Sequence, residues 1–79
     1  MPYYEFFWSP ETEEHLAEHG VSRDDFEHVV QHPDRTDYSR STGDPACWGF
    51  APDGRWLFCV YRLLDDVTIE PVTAYEPEE

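Results

Sequence analysis

The stretch His15–Ser22, "HLAEHGVS", decides how the first half of this chain folds. Its first five residues satisfy the pattern H-x-x-E-H, in which two histidines on a helix bind zinc. Gly20 favours the left-handed conformation that ends a helix, and Ser22 is a preferred helix N-cap. The stretch therefore predicts the end of one helix followed closely by the start of another, which together make a helical hairpin.

A zinc site at His15 and His19 lacks a third ligand. Catalytic zinc needs three protein ligands and an open coordination position, and no helix is predicted after residue 32 to supply another. His28 and His32 are also four residues apart, so a metal held between two helical pairs is an alternative, but this pair falls off the apolar stripe of its helix. The H-x-x-E-H match is interpreted as chance, and the sequence predicts no metal and no cofactor.

Both helices carry start and stop signals. The first is predicted over residues 9–19, because Ser9-Pro10 supplies a capping hydroxyl and a proline at the first helical position. The second is predicted over residues 22–32 and ends before Pro33, since proline disfavours a helical conformation in the preceding residue. Its buried stripe has i, i+3, i+4 spacing and consists of Phe26, Val29 and Val30.

Strands are predicted around the helices from short apolar or aromatic runs and one polar, edge-like run. They lie at residues 3–8, 35–41, 46–51, 55–63 and 67–75. Pro71 indicates a bulge or an edge in the last strand. The order β-α-α-β-β-β-β predicts an α+β fold, with an antiparallel sheet and the two N-terminal helices packed on one face.

Length and composition predict one domain over residues 1–79, with residues 76–79 as a disordered acidic tail. Hydrophobic residues make up 39% of the chain, which argues against disorder but allows only a small core, so a partner or a homodimer is expected. No run approaches the roughly 20 apolar residues of a membrane span, and no basic segment precedes an apolar run. We therefore expect a soluble cytoplasmic protein without membrane binding.

The charge balance is strongly acidic. Eighteen acidic residues face five basic residues, all arginine, and the net charge is −13. This charge leaves RNA as a partner but disfavours it, because bulk attraction to a polyanion is absent. Two interpretations stay open: a solvated acidic surface suited to a salty cytoplasm, and an acidic face that recruits a basic partner.

The predicted Pro52–Gly54 turn sets a register for the strands on either side of it. If this turn is a three-residue hairpin loop, Ala51 pairs with Arg55 and Cys47 lies opposite Cys59. A cross-strand disulfide is then conceivable, but a cytoplasmic location favours two buried thiols.

The same register sorts the hairpin side chains between two faces. One face carries Trp48, Phe50, Trp56, Phe58 and Val60, and the other carries Cys47, Ala51, Leu57, Cys59 and Tyr61. Both faces are largely apolar, and helices can cover only one of them. The other is therefore predicted to contact a partner.

Four arginines fall on predicted strands or their ends, namely Arg35, Arg40, Arg55 and Arg62. One interpretation is that they pair with the abundant carboxylates on the surface. The alternative is a small cationic patch that holds a phosphate, because the guanidinium group binds phosphate through two hydrogen bonds.

Three segments of the chain resemble BrnT-like toxins of the RelE/ParE superfamily. They are "FFWSPETEEHLAEHGVSRDDFEHVV" (residues 6–30), "DGRWLFCVYR" (residues 53–62) and "IEPVTAY" (residues 69–75). The resemblance spans nearly the whole chain in order and implies the same β-α-α-β-β-β-β layout.

The resemblance implies the toxin of a type II toxin–antitoxin pair, with a cognate antitoxin as partner and metal-independent ribonuclease activity. Arg55 matches the family's Gly-Arg position, and Arg62 and Tyr75 are assigned by location as charge stabiliser and proton donor. Where relatives end in a basic segment, this chain has "YEPEE" (residues 75–79) and no lysine. The alternative is a non-catalytic relative that binds a protein.

Overall fold

A computed structural model describes residues 4–40 and 42–77 of the chain. These residues form two helices and one mixed sheet. The elements are β1 (Glu5–Phe6), α1 (Pro10–Glu18), α2 (Arg23–Gln31), β2 (Arg35–Tyr38), β3 (Pro45–Phe50), β4 (Trp56–Leu63) and β5 (Thr68–Tyr75). Within these described residues the sheet has five strands in the order β1-β5-β4-β3-β2. The predicted α+β class and element order are confirmed.

The helical hairpin forms where its capping residues predict. The Ser9 hydroxyl accepts a hydrogen bond from the Thr12 amide at 3.2 Å and caps α1. Ser22 and Asp25 cap α2 reciprocally, each side chain accepting the other's amide at 3.1 Å. Gly20 lies between the helices with φ +73°, a conformation that side chains rarely adopt.

The sheet departs from the prediction at β1, which pairs with β5 in the parallel direction. The predicted antiparallel sheet is therefore wrong at this edge. Strands β2 to β5 are joined by short turns, which enforce antiparallel pairing, whereas β1 reaches the sheet without a turn to β5. The strand is also shorter than residues 3–8, and residue 3 lies outside the described residues.

The β3–β4 hairpin has the predicted loop and register. The Ala51 amide donates to the Arg55 carbonyl at 2.8 Å, and Cys47 lies opposite Cys59. The bulge predicted near Pro71 is also present: Val60 pairs with Thr73 but the next residue pairs with Pro71, so that β5 carries one extra residue at this point.

The helices cover one face of the sheet, as predicted. α2 packs on β3 and β4, and α1 packs against β5. The buried residues between the layers are Leu16, Val21, Phe26, Val29, Val30, Cys47, Ala51, Leu57, Cys59, Ile69 and Ala74. Gly49 permits the close approach, since a Cβ there would lie 3.2 Å from a Val29 methyl group.

The C-terminal segment leaves the sheet after Tyr75. Glu76 and Pro77 belong to no helix or strand. Residues 78 and 79 lie outside the described residues, so the disordered tail predicted for residues 76–79 stays a prediction. No helix among the described residues is long and apolar enough to cross a membrane.

Candidate functional site

The sheet face opposite the helices carries a continuous row of aromatic rings, which we call the aromatic face. Its members are Trp48, Phe50, Trp56, Phe58 and Tyr75. The ring centroids lie 4.8 Å apart for Phe50 and Trp56, 4.7 Å for Trp48 and Phe58, and 5.5 Å for Phe58 and Tyr75. Such cross-strand contacts hold large side chains in fixed positions on the sheet.

The aromatic face is open to solvent. Phe50 is 56% exposed and Tyr75 is 38% exposed, although both belong to strands whose other side is fully buried. The buried residues of both helices pack on the other side of the sheet. His15 and His19 reach this side only where they contact Thr73 and Tyr75 of β5. Trp48, Trp56 and Phe58 are half-buried. A contiguous, partly exposed aromatic surface on a small domain is typical of a site that binds another molecule.

Arg35 adds a cation to this surface. It comes from the edge strand β2, and its guanidinium lies 5.6 Å from the centre of the Trp48 ring. This geometry is that of a cation–π contact. The aromatic face therefore already accommodates an arginine side chain belonging to the protein itself.

Carboxylates surround the other arginine on this side, Arg62. Its guanidinium lies 3.7 Å from Asp44 and 3.6 Å from Glu70. One oxygen of Asp44 is buried and has no hydrogen-bond partner among the described residues. Arg62 thus compensates acidic groups on this side of the sheet, as the ion-pair interpretation predicts.

Arg55 ties three segments of the fold together. Its guanidinium donates to the Gly20 carbonyl at 2.6 Å, to Asp25 at 2.8 Å and to Asp53 at 2.7 Å. A third carboxylate, that of Glu76, lies 3.7 Å away. Arg55 therefore joins the hinge of the helical hairpin to the β3–β4 turn and to the end of β5, which is a structural function.

The electrostatic surroundings of Arg55 reinforce that function. The hydrogen bond to Asp53, followed by the charges of nearby carboxylates, raises the pKa of Arg55 above its ordinary value. The Arg55 amide donates to Asp53 as well, and this bond lowers the pKa of Asp53. A phosphate at Arg55 would have to displace carboxylates that are already bound.

The three residues predicted as catalytic do not converge on one site. Arg55 and Arg62 lie at opposite ends of β4, roughly 20 Å apart for a strand rising about 3.3 Å per residue. Tyr75 lies near Arg55, because the next residue, Glu76, reaches that guanidinium. Arg62 is therefore separated from the other two residues.

Histidines from α1 lie beside Tyr75. The His19 ring centre is 6.2 Å from that of Tyr75, and His15 Nε2 is 3.1 Å from the Thr73 hydroxyl. Within each histidine pair the two rings are in contact. Their centres are 5.2 Å apart for His15 and His19 and 5.1 Å apart for His28 and His32. No group of three metal-ligating side chains comes together in the part of the chain that the structure describes.

Cys47 and Cys59 face each other beneath the helices as free thiols, and both are buried. The neighbouring Cys47 and the burial of the pair raise the pKa of Cys59. Burial and a raised pKa keep a thiol protonated and unreactive. These residues belong to the core of the protein.

A cleft of about 660 Å³ lies at the end of the aromatic face. The sequence does not predict its two acidic residues as parts of a site. The cleft is lined by Asp34, Phe50, Trp56, Glu76 and Pro77. The hairpin register alone pairs Phe50 with Trp56. The two acidic residues come from segments before β2 and after β5, whose proximity depends on the order of the whole sheet.

Comparisons of the chain with protein-family models, with curated proteins and with solved structures found no match.

Proposed function

We propose that this chain is a protein-binding domain whose aromatic face binds a basic segment of a partner protein. The observation that carries the proposal is the row of five partly exposed aromatic side chains on the sheet face opposite the helical core. Aromatic side chains dominate the energetics of protein interfaces because they bury much apolar area with little loss of conformational freedom.

The net charge of −13 supports a basic partner. Opposite charges accelerate encounter and select against acidic competitors, RNA included. Three of the five arginines are engaged with carboxylates, namely Arg23, Arg55 and Arg62. They contribute little positive potential that could attract a phosphate backbone.

The resemblance to BrnT-like toxins supports a more specific proposal. A RelE/ParE-like domain from a type II pair would act in the cytoplasm, and its partner would be a cognate antitoxin encoded beside it. The element order β-α-α-β-β-β-β is compatible with this class. The proposal of a binding face does not depend on it, because that face follows from the hairpin register and the position of the helices.

The test uses the chain and the protein encoded by the adjacent short gene. Isothermal titration should give a complex, and the double variant Trp48→Ser/Phe58→Ser should weaken it by about 100-fold or more. A loss of this size is expected when two large side chains that are buried in the complex are truncated together. The matched control His28→Ser/His32→Ser removes two exposed rings from α2 and should leave the affinity within about twofold.

Two results would overturn the proposal. One is a complex whose affinity is unchanged in the aromatic double variant, since the contact surface would then lie elsewhere. The other is a homodimer of the chain alone, detected by light scattering and lost in the double variant. A second copy, rather than a basic partner, would then cover the face.

A metal-independent ribonuclease is the second candidate. The observation that favours it is the grouping of His15, His19 and Tyr75 near Arg55, since imidazole and phenol groups can transfer protons during RNA cleavage. RNA should then be cleaved in the presence of a chelator, and His19→Gln or Tyr75→Phe should slow cleavage by about 100-fold. Intact RNA and normal growth on expression would eliminate this candidate.

A further inference from the structure

The cleft at the end of the aromatic face has the chemistry of a pocket for an organic cation. Phe50 and Trp56 form two of its walls, with their ring planes inclined at 61°. Asp34 and Glu76, two acidic residues from other segments, also line the cleft. We propose that this cleft binds an arginine side chain of the partner protein, an inference that rests on the proposed protein-binding function and specifies its chemistry.

The aromatic walls can bind a cation through their π faces. The electron-rich face of an aromatic ring attracts cations, and tryptophan is the strongest of the aromatic side chains in this respect. The protein uses this interaction twice elsewhere: Arg23 lies 5.6 Å from the Trp8 ring and Arg35 lies 5.6 Å from the Trp48 ring. Trp56 is the third tryptophan, and within the described residues no arginine lies over it.

The two carboxylates provide the charge that a bound cation needs. No ion pair involves Asp34 among the described residues. Glu76 is 57% exposed and contacts Arg55 through one oxygen at 3.7 Å. Its remaining oxygen can therefore accept a hydrogen bond from an incoming group without breaking the contact with Arg55.

Arginine suits this arrangement better than lysine. A guanidinium is planar, so it can lie against the Trp56 ring while its edge donates hydrogen bonds to carboxylates on either side. The cleft volume of about 660 Å³ leaves room for the aliphatic part of the side chain as well. The aromatic face would thus bind apolar side chains along its length and one arginine at its end.

The pocket can be tested without the partner. The probe is N-acetyl-arginine methylamide, titrated into the ¹⁵N-labelled chain while the three indole N–H resonances are followed by NMR. The Trp56 resonance should shift and saturate with a dissociation constant on the order of millimolar. The Trp8 resonance should stay in place, since that indole donates to Glu27 at 2.8 Å, away from the cleft.

Two controls separate charge recognition from unspecific contact. N-acetyl-citrulline methylamide has nearly the same shape without the charge and should bind at least about fivefold more weakly. Asp34→Asn/Glu76→Gln should weaken arginine binding by about fivefold or more, whereas Glu18→Gln/Asp66→Asn changes the net charge equally and should not. Equal binding of the two probes, or an unchanged affinity in the first variant, would overturn the pocket.

The failure of the pocket can be distinguished from failure of the binding face. If the arginine probe does not bind but the partner complex still requires Trp48 and Phe58, the pocket is wrong and the proposed function stands. If the probe binds with the stated selectivity but no partner complex depends on the aromatic face, the pocket stands and the proposed function is wrong.

Discussion

Both faces of the sheet are apolar, but only one of them is packed against helices. On the covered face the fully buried sheet side chains are small or medium-sized, such as Cys47, Leu57 and Ala74, which are each at most 1% exposed. On the opposite face the side chains are mostly large and aromatic and remain partly exposed. The covered face accounts for the stability of the fold, while the aromatic face is available for binding.

The difference between the faces has a physical origin in size. Small residues let α2 approach β3 closely. At Gly49, for example, an added Cβ would lie only 3.2 Å from a Val29 methyl group. Large rings directly beneath α2 would hold that helix away from the sheet. Placing the rings on the other face preserves the core and leaves apolar surface that only another molecule can bury.

Truncating one aromatic residue from each side gives the largest expected contrast. Phe26→Ala should lower the free energy of unfolding by about 3–5 kcal/mol, because Phe26 is fully buried and contacts Trp8 edge-on. Phe50→Ala should cost about 1 kcal/mol or less, because the ring is exposed and loses mainly its cross-strand contact. Urea denaturation measures both, and equal losses would contradict the division between the faces.

Removing one arginine from each end of β4 gives a smaller contrast. Arg55→Ala should cost about 1–3 kcal/mol, since it removes hydrogen bonds to Gly20 and Asp25. Arg62→Ala should cost at most about 1 kcal/mol, because the Arg62 side chain is 56% exposed and lies 3.6 Å or more from its two acidic partners. If the free energy of unfolding of Arg55→Ala equals that of the unmodified chain, Arg55 is not needed to join the helical hairpin to the sheet.

Alkaline pH should weaken the covered side through Tyr61. Burial raises the pKa of Tyr61 to about 12, while an unfolded tyrosine titrates near about 10. The contribution of Tyr61 is therefore complete below about pH 10 and declines as the pH rises toward about 12. Unfolding curves at about pH 9 and about pH 11.5 should differ less for Tyr61→Phe than for the unmodified chain. An identical pH dependence in both proteins would refute the assignment.

Acid should have the smallest effect, acting through the turn between β4 and β5. The Val67 amide donates to Asp65, and this bond lowers the pKa of the Asp65 carboxyl. A lowered pKa means that the stabilisation is present above about pH 4 and is lost as the pH falls through the folded-state value. Asp65→Asn should reduce the loss of stability between about pH 5 and about pH 2. Asp66→Asn in the same turn serves as the control and should leave that loss unchanged.

Sequence predicts the local parts of this fold well and its long-range parts poorly. The caps at Ser9 and Ser22 and the hairpin loop at Pro52–Gly54 depend on neighbouring residues, so their signals lie in short stretches of sequence. That loop also places the four aromatic rings of β3 and β4 on one side of the sheet. The parallel pairing of β1 depends on the position of β5, which is distant in sequence, so no short sequence pattern predicts it.

The candidate sites follow the same rule. The register of the hairpin predicts an uncovered apolar face and the cysteine pair, because both are set by counting from one turn. The partners of Arg55 come from three separate segments, so its structural function appears only once the chain is folded. The cleft between Asp34 and Glu76 likewise depends on strands that are distant in sequence.

The three tryptophans provide the most direct test of the binding face. Trp48 and Trp56 lie on the aromatic face, whereas Trp8 packs against Phe26 on the covered side. The measurement is the protection of each indole N–H from a soluble paramagnetic relaxation agent, before and after the partner protein is added. We expect Trp48 and Trp56 to become protected in the complex and Trp8 to remain unchanged. Protection of Trp8 alone would place the interface on the helical side and contradict the proposed binding face.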